Sequence, residues 1–142
     1  MSNNGNVQNV YIPKSCITDE LGGRIADIYD FSIHGGAVGT IELPAEIPDN
    51  AVIVGAYVDV LTDPTSGGAA TVAIGLNTTT DILAATAIAS VTGVVVAKEQ
   101  TAAFKLTANR KIQVTIATAA LTAGKMAICI DWVGPFDSVV PR

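Results

Sequence analysis

"AVIVGAYVDVL", Ala51 to Leu61, alternates with a period of two. Val52, Val54, Ala56, Val58 and Val60 fall on one face of an extended chain, and Ile53, Gly55, Tyr57 and Asp59 on the other. Successive side chains of a strand point to opposite sides, so this spacing predicts a β-strand rather than a helix. Its residues are mostly β-branched, which suits a pleated, half-buried surface.

The same pattern recurs on both sides. Arg24 to His34 places Tyr29, Phe31 and Ile33 on one face and Asp30 and Ser32 on the other, with Gly35-Gly36 as the break. Val38 to Leu43 is a short run closed by Pro44 and Pro48. After the stretch, "TDPTSGG" reads as a turn, Val72, Ile74 and Leu76 resume the alternation, and "NTTTD" turns again. Asp81 to Val91 reads as a loop with at most a helical turn, tucking Leu83 and Ile88 inward. "GVVVA" and "AAFKLT" follow, then "ANRK" as a turn and Ile112, Val114 and Ile116 as a strand. "TAALTAG" is expected to turn, and Met126, Ile128, Ile130 and Trp132 to form the last strand. About eight short strands at this spacing, with no long amphipathic helix between them, predict an all-β antiparallel sandwich, jelly-roll-like.

Composition agrees and narrows the function. The chain has 142 residues, enough for one domain with one core. It is 49% hydrophobic but only 5% aromatic, so the core is aliphatic. Charged residues are 15% of the chain, against about 25% in an average soluble domain. A surface so poor in charge implies cover by assembly, or else a coat of Thr and Ser. The net charge of -5 opposes nucleic-acid binding, which needs clustered cations; Arg110-Lys111 beside Lys105 reads as a hairpin end. Cys16 and Cys129 have no Cys-x-x-Cys spacing, and Cys129, inside an apolar alternation, reads as a small buried hydrophobe. "MSNNGNVQNV" lacks the basic and apolar regions of a secretory signal, and no run of about 18 apolar residues exists to span a membrane. A soluble chain made in the cytoplasm is expected.

Catalytic patterns fail one by one. His34 is the lone histidine, and "HGG" resembles a lipase oxyanion loop without the G-x-S-x-G turn or the second histidine that loop requires. "GGAVGT", Gly35 to Thr40, has the wrong spacing for a dinucleotide loop, and "TAGK", Thr122 to Lys125, is not a phosphate loop. Asp59, Asp63 and Asp81 lack any calcium-loop spacing. Asn77-Thr78-Thr79 fits a glycosylation sequon but has no secretory context. Trp132 and Tyr57 are candidates for an aromatic sugar platform, though Trp132 is in phase with Ile128 and Ile130 and suits packing better. No catalytic residue, metal or cofactor is expected.

Two longer stretches carry a resemblance. "IPDNAVIVGAYVDVLTDPTSGGAATVAIGLNTTTDILAATA", Ile47 to Ala87, joins a Val-rich strand, a Ser-Gly-Gly turn and an Asp-Ile-Leu-Ala-Ala segment. "LTANRKIQVTIATAALTAGKMAICIDW", Leu106 to Trp132, adds a Leu-Thr-Ala turn, an alternating strand and a closing strand. Together they resemble the small structural proteins of tailed bacteriophages that decorate the head as cement or head-fibre proteins. That resemblance implies a β-sandwich that assembles, commonly as a homotrimer, on the capsid exterior, with the major capsid protein as partner and no nucleic acid or membrane. A receptor- or glycan-binding module of a phage fibre is the alternative, with Trp132, Tyr11 and Tyr29 as its aromatic members. The expected organisation is an N-terminal arm at 1–23, a sandwich at 24–135 and a C-terminal tail at 136–142. The arm has little core of its own to join, and Val7, Val10, Tyr11 and Ile12 are its candidate capsid contacts.

Overall fold

The computed structural model describes residues 22–98 and 103–136. Among these residues nine strands lie in two sheets: β1 (Gly22–Asp30), β2 (Gly39–Ile47), β3 (Val52–Ser66), β4 (Thr71–Gly75), β5 (Leu83–Ala87), β6 (Val94–Lys98), β7 (Phe104–Lys105), β8 (Arg110–Ala117) and β9 (Leu121–Val133). The first sheet runs β1-β9-β3-β6, with β7 against the start of β3; the second runs β2-β8-β4-β5. Every pairing is antiparallel. The pairs nest: β4 with β5, β3 with β6, β2 with β8, and β1 with β9. Such a nested ribbon of eight strands, folded over into two layers with the short β7 added to the first, is a jelly roll.

The core fills the space between the layers. Val58 of β3, Ile74 of β4, Ile112, Val114 and Ile116 of β8, and Met126, Ile128 and Ile130 of β9 are all fully buried. These are the alternate positions of each strand, so the period of two that forms the strands also sorts their side chains. Burying one such side chain stabilises by about 1.5–3 kcal/mol. Among the described residues Tyr29 is the one fully buried aromatic, and its hydroxyl donates to the Gly35 carbonyl at 2.6 Å.

Several local expectations are corrected. In β3 the register against β9 slips by one residue between Ile53 and Gly55. Ile53 therefore joins Ala56 and Val58 in the core, while Val52 and Val54 are only half-buried. A β-bulge lets the strand swap faces without ending. Arg24 to His34 is not one strand: β1 stops at Asp30, which caps a helical turn, α1 (Phe31–His34), by accepting the Ser32 N–H at 2.9 Å. Ile33 consequently projects into solvent.

Pro44 does not close β2. It sits on an edge strand, where a missing N–H costs no ladder bond, and a register shift between Glu42 and Glu46 absorbs it. The Asp27 carboxylate, from β1, accepts the Ala45 N–H there at 2.9 Å and so ties the two sheets together. Pro64 lies inside β3, which runs on to Ser66 through further bulges. Leu121 to Gly124 belongs to β9 rather than a turn; the turn is Thr118 to Ala120, with Thr118 at φ 74°. Asp81 to Val91 holds the edge strand β5 and a helical turn at Ile88–Ser90, with Leu83 and Ile88 packed against the core.

Candidate functional site

The sequence-derived candidates for chemistry take structural places. His34 closes α1, its Nδ1 accepting the Asp30 N–H at 3.1 Å and its ring stacked on Tyr29 at 5.7 Å. The Ser32 hydrogen bonds hold the Asp30 carboxyl below its ordinary value of 3.8, with Lys125 adding to the effect. A depressed carboxyl contributes stability above its unfolded pKa and loses it as pH falls through the folded one, so this cap weakens only in acid. Gly36 lies against the start of β9, where its carbonyl accepts the Leu121 N–H at 2.8 Å. "TAGK" is within β9, with Gly124 against Pro64.

The three aspartates do not converge. Asp81 accepts the N–H groups of Leu76, Asn77 and Thr78 at 2.7, 2.9 and 3.1 Å, and Asp63 accepts the Thr92 hydroxyl at 3.0 Å. Among the described residues no three His, Cys, Asp or Glu side chains stand together as metal ligands. Asn77 is a structural knot: its amide donates to the Lys105 carbonyl, and its oxygen accepts from the Thr107 N–H and hydroxyl and from Arg110 Nε. Arg110 is thereby held within the turn rather than offered to a phosphate. Replacing His34 with alanine is expected to cost about 1 kcal/mol, the worth of one hydrogen bond, and to leave assembly unchanged. Urea denaturation with light scattering measures both, and a loss of assembly in a folded variant would give His34 a role of its own.

The aromatic platform is not assembled. Trp132 faces the inner side of the first sheet and packs on the core, while Tyr57 points outward. Tyr29 is fully buried and unavailable to a ligand. Tyr11, with Val7, Val10 and Ile12, lies outside the described residues, as does Cys16.

What the structure does bring together is the outer face of the first sheet. Alternation around its registers places Ala26 and Ile28 of β1, Ala127 and Cys129 of β9, Tyr57 of β3, and Val94 and Val96 of β6 side by side. Val94 and Val96 are 66% and 67% exposed. Cys129 is half-buried on this outer face, opposite Tyr57, and not inside the core as the apolar alternation suggested. Ion pairs close the two ends of the band: Arg24 to Asp131 at 2.6 Å, and Lys125 to Asp30 at 3.9 Å. Arg24 also lies 5.9 Å from the Tyr57 ring centroid. The Asp131 hydrogen bond, then its charge, raises the Arg24 pKa. The Tyr57 phenol is raised as well, first by hydrogen bonding with the Cys129 side chain, with Arg24 opposing.

The inward positions dominate the alternation, so the sequence reading does not single out this band. The signal was present: Tyr57, Ala127 and Cys129 are the outward positions of two central strands, where a solvated sheet carries polar residues. The outer face of the second sheet is different in kind. It carries Thr40 and Thr115, whose hydroxyls meet at 3.0 Å, with Glu42, Gln113 and Thr71 around them.

No known family and no curated protein matches the chain. Solved structures do. A chain in the acid-stable capsid of the Helicobacter pylori bacteriophage KHP30 superposes with a TM-score of 0.61 at 15% identity, covering 82% of this chain and 90% of that one. A chain in the cyanophage Pam1 capsid asymmetric unit gives 0.57 at 18%, covering 81% and 87%. Both establish the fold. A chain in the capsid of Ralstonia phage GP4 gives 0.55 at 28% identity, covering 81% and 86%, which adds likeness of sequence to likeness of fold. These likenesses support a phage capsid-related structural protein.

Proposed function

We propose that the chain is a structural protein of a tailed-bacteriophage virion, made in the host cytoplasm, that decorates the outside of the capsid as a homotrimer and stabilises the shell. The observation that carries this reading is the 28% identity with the Ralstonia phage capsid chain, spread over 81% of this chain. The apolar outer face with closed ion pairs supports assembly, and the dispersal of His34 and the aspartates into structural roles supports a protein without catalysis. Its partners in this reading are the major capsid protein and further copies of itself. The sandwich at 24–135 is the outward body, with 136–142 as its tail. The arm expected at 1–23, whose last two residues Gly22 and Gly23 already pair in β1, attaches it through Val7, Val10, Tyr11 and Ile12. Many weak arms on one shell add through avidity.

The test uses purified virions and capsids stripped of the protein. The full chain is expected in virions in numbers comparable to the shell subunits, and to co-sediment with stripped capsids. A chain lacking residues 1–12 is expected to fold and oligomerise as before but to stay in the supernatant. Absence from virions overturns the reading. Normal decoration by the shortened chain overturns the arm and leaves the rest.

A further inference from the structure

We propose that the outer face of the first sheet, with the β6 edge, is the surface through which one copy of this chain seats on the next. The inference rests on the oligomer reading above and adds to it the surface that is used.

Three observations point to a second copy. The first is the plan of the face. Ala26, Ile28, Tyr57, Ala127, Cys129, Val94 and Val96 form an apolar field interrupted by Asp59, between Ala127 and Val94, and the paired charges stand at its two ends. Protein interfaces have this anatomy, an apolar centre depleted of charge within a polar rim. The second is charge. The chain carries a net charge of -5, so copies repel wherever their charges are uncompensated. On this face Arg24 neutralises Asp131 and Lys125 neutralises Asp30, which leaves Asp59 among the described side chains. Two acidic copies meet here with little repulsion, and a strongly charged partner would find little to pair with.

The third is the state of the sheet edges. β1 carries Arg24, Asp27 and Asp30, and β2 carries Glu42, Pro44 and Glu46, the devices that keep an edge from pairing with another chain. β6 offers Val94, Val95, Val96 and Ala97 ahead of its terminal Lys98; the edge strand β5 also lacks charge and proline, but it borders the Thr-lined sheet. Area fixes how much of the face takes part. Four strands about 4.8 Å apart over roughly seven residues span about 450 Å² in projection. A stable interface removes about 800 Å² of accessible surface from each partner. The whole face reaches a little over half that figure even in flat projection, whereas the β6 edge alone falls far short. The contact therefore takes in Tyr57 and Cys129 as well as the valines.

Cys129 allows a test on a protein with its surface intact. With Cys16→Ser removing the other thiol, maleimide labelling of Cys129 is followed against protein concentration alongside light scattering. Labelling is expected to slow by about tenfold or more on going from the monomer range to the concentration where the oligomer forms, because the reagent needs access to the thiolate. The variant Val96→Asp, at an exposed side chain, is expected to keep its circular dichroism spectrum and melting temperature but to run as a monomer. If the protein oligomerises while Cys129 labels at one rate throughout, the face is not the interface and the oligomer reading stands. If Val96→Asp keeps its oligomer but loses stripped capsids, the face belongs to the shell contact and the inference is overturned. If the unmodified chain is a monomer at tens of micromolar, the oligomer reading falls and this inference falls with it.

Discussion

Asp81→Ala is expected to destabilise the fold by about 3–4 kcal/mol, among the largest single-residue effects away from the core. Asp81 accepts three backbone N–H groups, those of Leu76, Asn77 and Thr78, and so closes the turn between β4 and β5. Alanine removes all three acceptors at once. Leu76 is fully buried, and its N–H has no route to water without opening the turn. Hydrogen bonds to charged groups are worth about 1.5–3 kcal/mol each, and an orphaned buried donor costs about 1–3 kcal/mol. The exposed Thr78 N–H regains a water, which keeps the total below three full bonds. The turn also seats Ile82, whose N–H donates to the Ile74 carbonyl at 3.0 Å and whose side chain is buried. Asp81→Asn keeps one carboxyl-like oxygen and is expected to lose less than half as much. Chemical denaturation of the two variants against the parent measures this. A loss below about 1 kcal/mol for alanine would mean that the turn holds by packing and the knot at Asn77, and that the carboxylate is dispensable.

Asp81 shows where sequence reading succeeds and where it stops. The turn at "NTTTD" was legible because polar residues cluster between two apolar alternations. The three-fold acceptor role was not, since nothing in the letter D says which N–H groups will face it. The strand faces of β8 and β9 were legible because their alternation runs unbroken: Ile112, Val114 and Ile116, then Met126, Ile128 and Ile130. β3 was legible as a strand but not in phase throughout. A bulge moves Ile53 across the sheet, and a one-residue slip leaves no mark on composition.

Prolines misled for a related reason. Pro44 and Pro64 read as strand ends because a proline cannot serve a central ladder, but each stands where one side of its strand has no partner among the described residues. Edge position is a property of the whole sheet, so no local window contains it. The same limit hid the apolar outer face of the first sheet. Val94 and Val96 look like core residues in sequence, and only the sheet order places them on an outer edge.

Gly36→Ala carries the other large expectation, a loss of about 3 kcal/mol with no separate loss of function. A Cβ at Gly36 would overlap the Leu121 carbonyl oxygen and stand 2.8 Å from the Phe31 ring. The ring could turn aside, but the carbonyl is backbone at the start of β9, and Leu121 pairs with Ser66 of β3. Moving it disturbs the hydrogen bond from Leu121 to Gly36, at 2.8 Å, and the end of the longest ribbon in the fold. Inserted carbon atoms in a packed site cost about 1–3 kcal/mol, and a clash with backbone belongs at the upper end of that range. Gly35→Ala is the matched comparison. Gly35 has φ of 78° and ψ of 178°, a conformation nearly confined to glycine that costs other residues about 1–3 kcal/mol, but its Cβ would meet nothing within 4 Å. Space therefore governs Gly36 and conformation governs Gly35, and the Gly36 variant should be the less stable of the two. Were the two glycines a functional loop, both variants would keep their stability and lose capsid binding instead. Thermal melting with capsid co-sedimentation on each variant separates these outcomes. A stable Gly36→Ala protein that no longer decorates capsids would move "HGG" from the packing of the sandwich to its work.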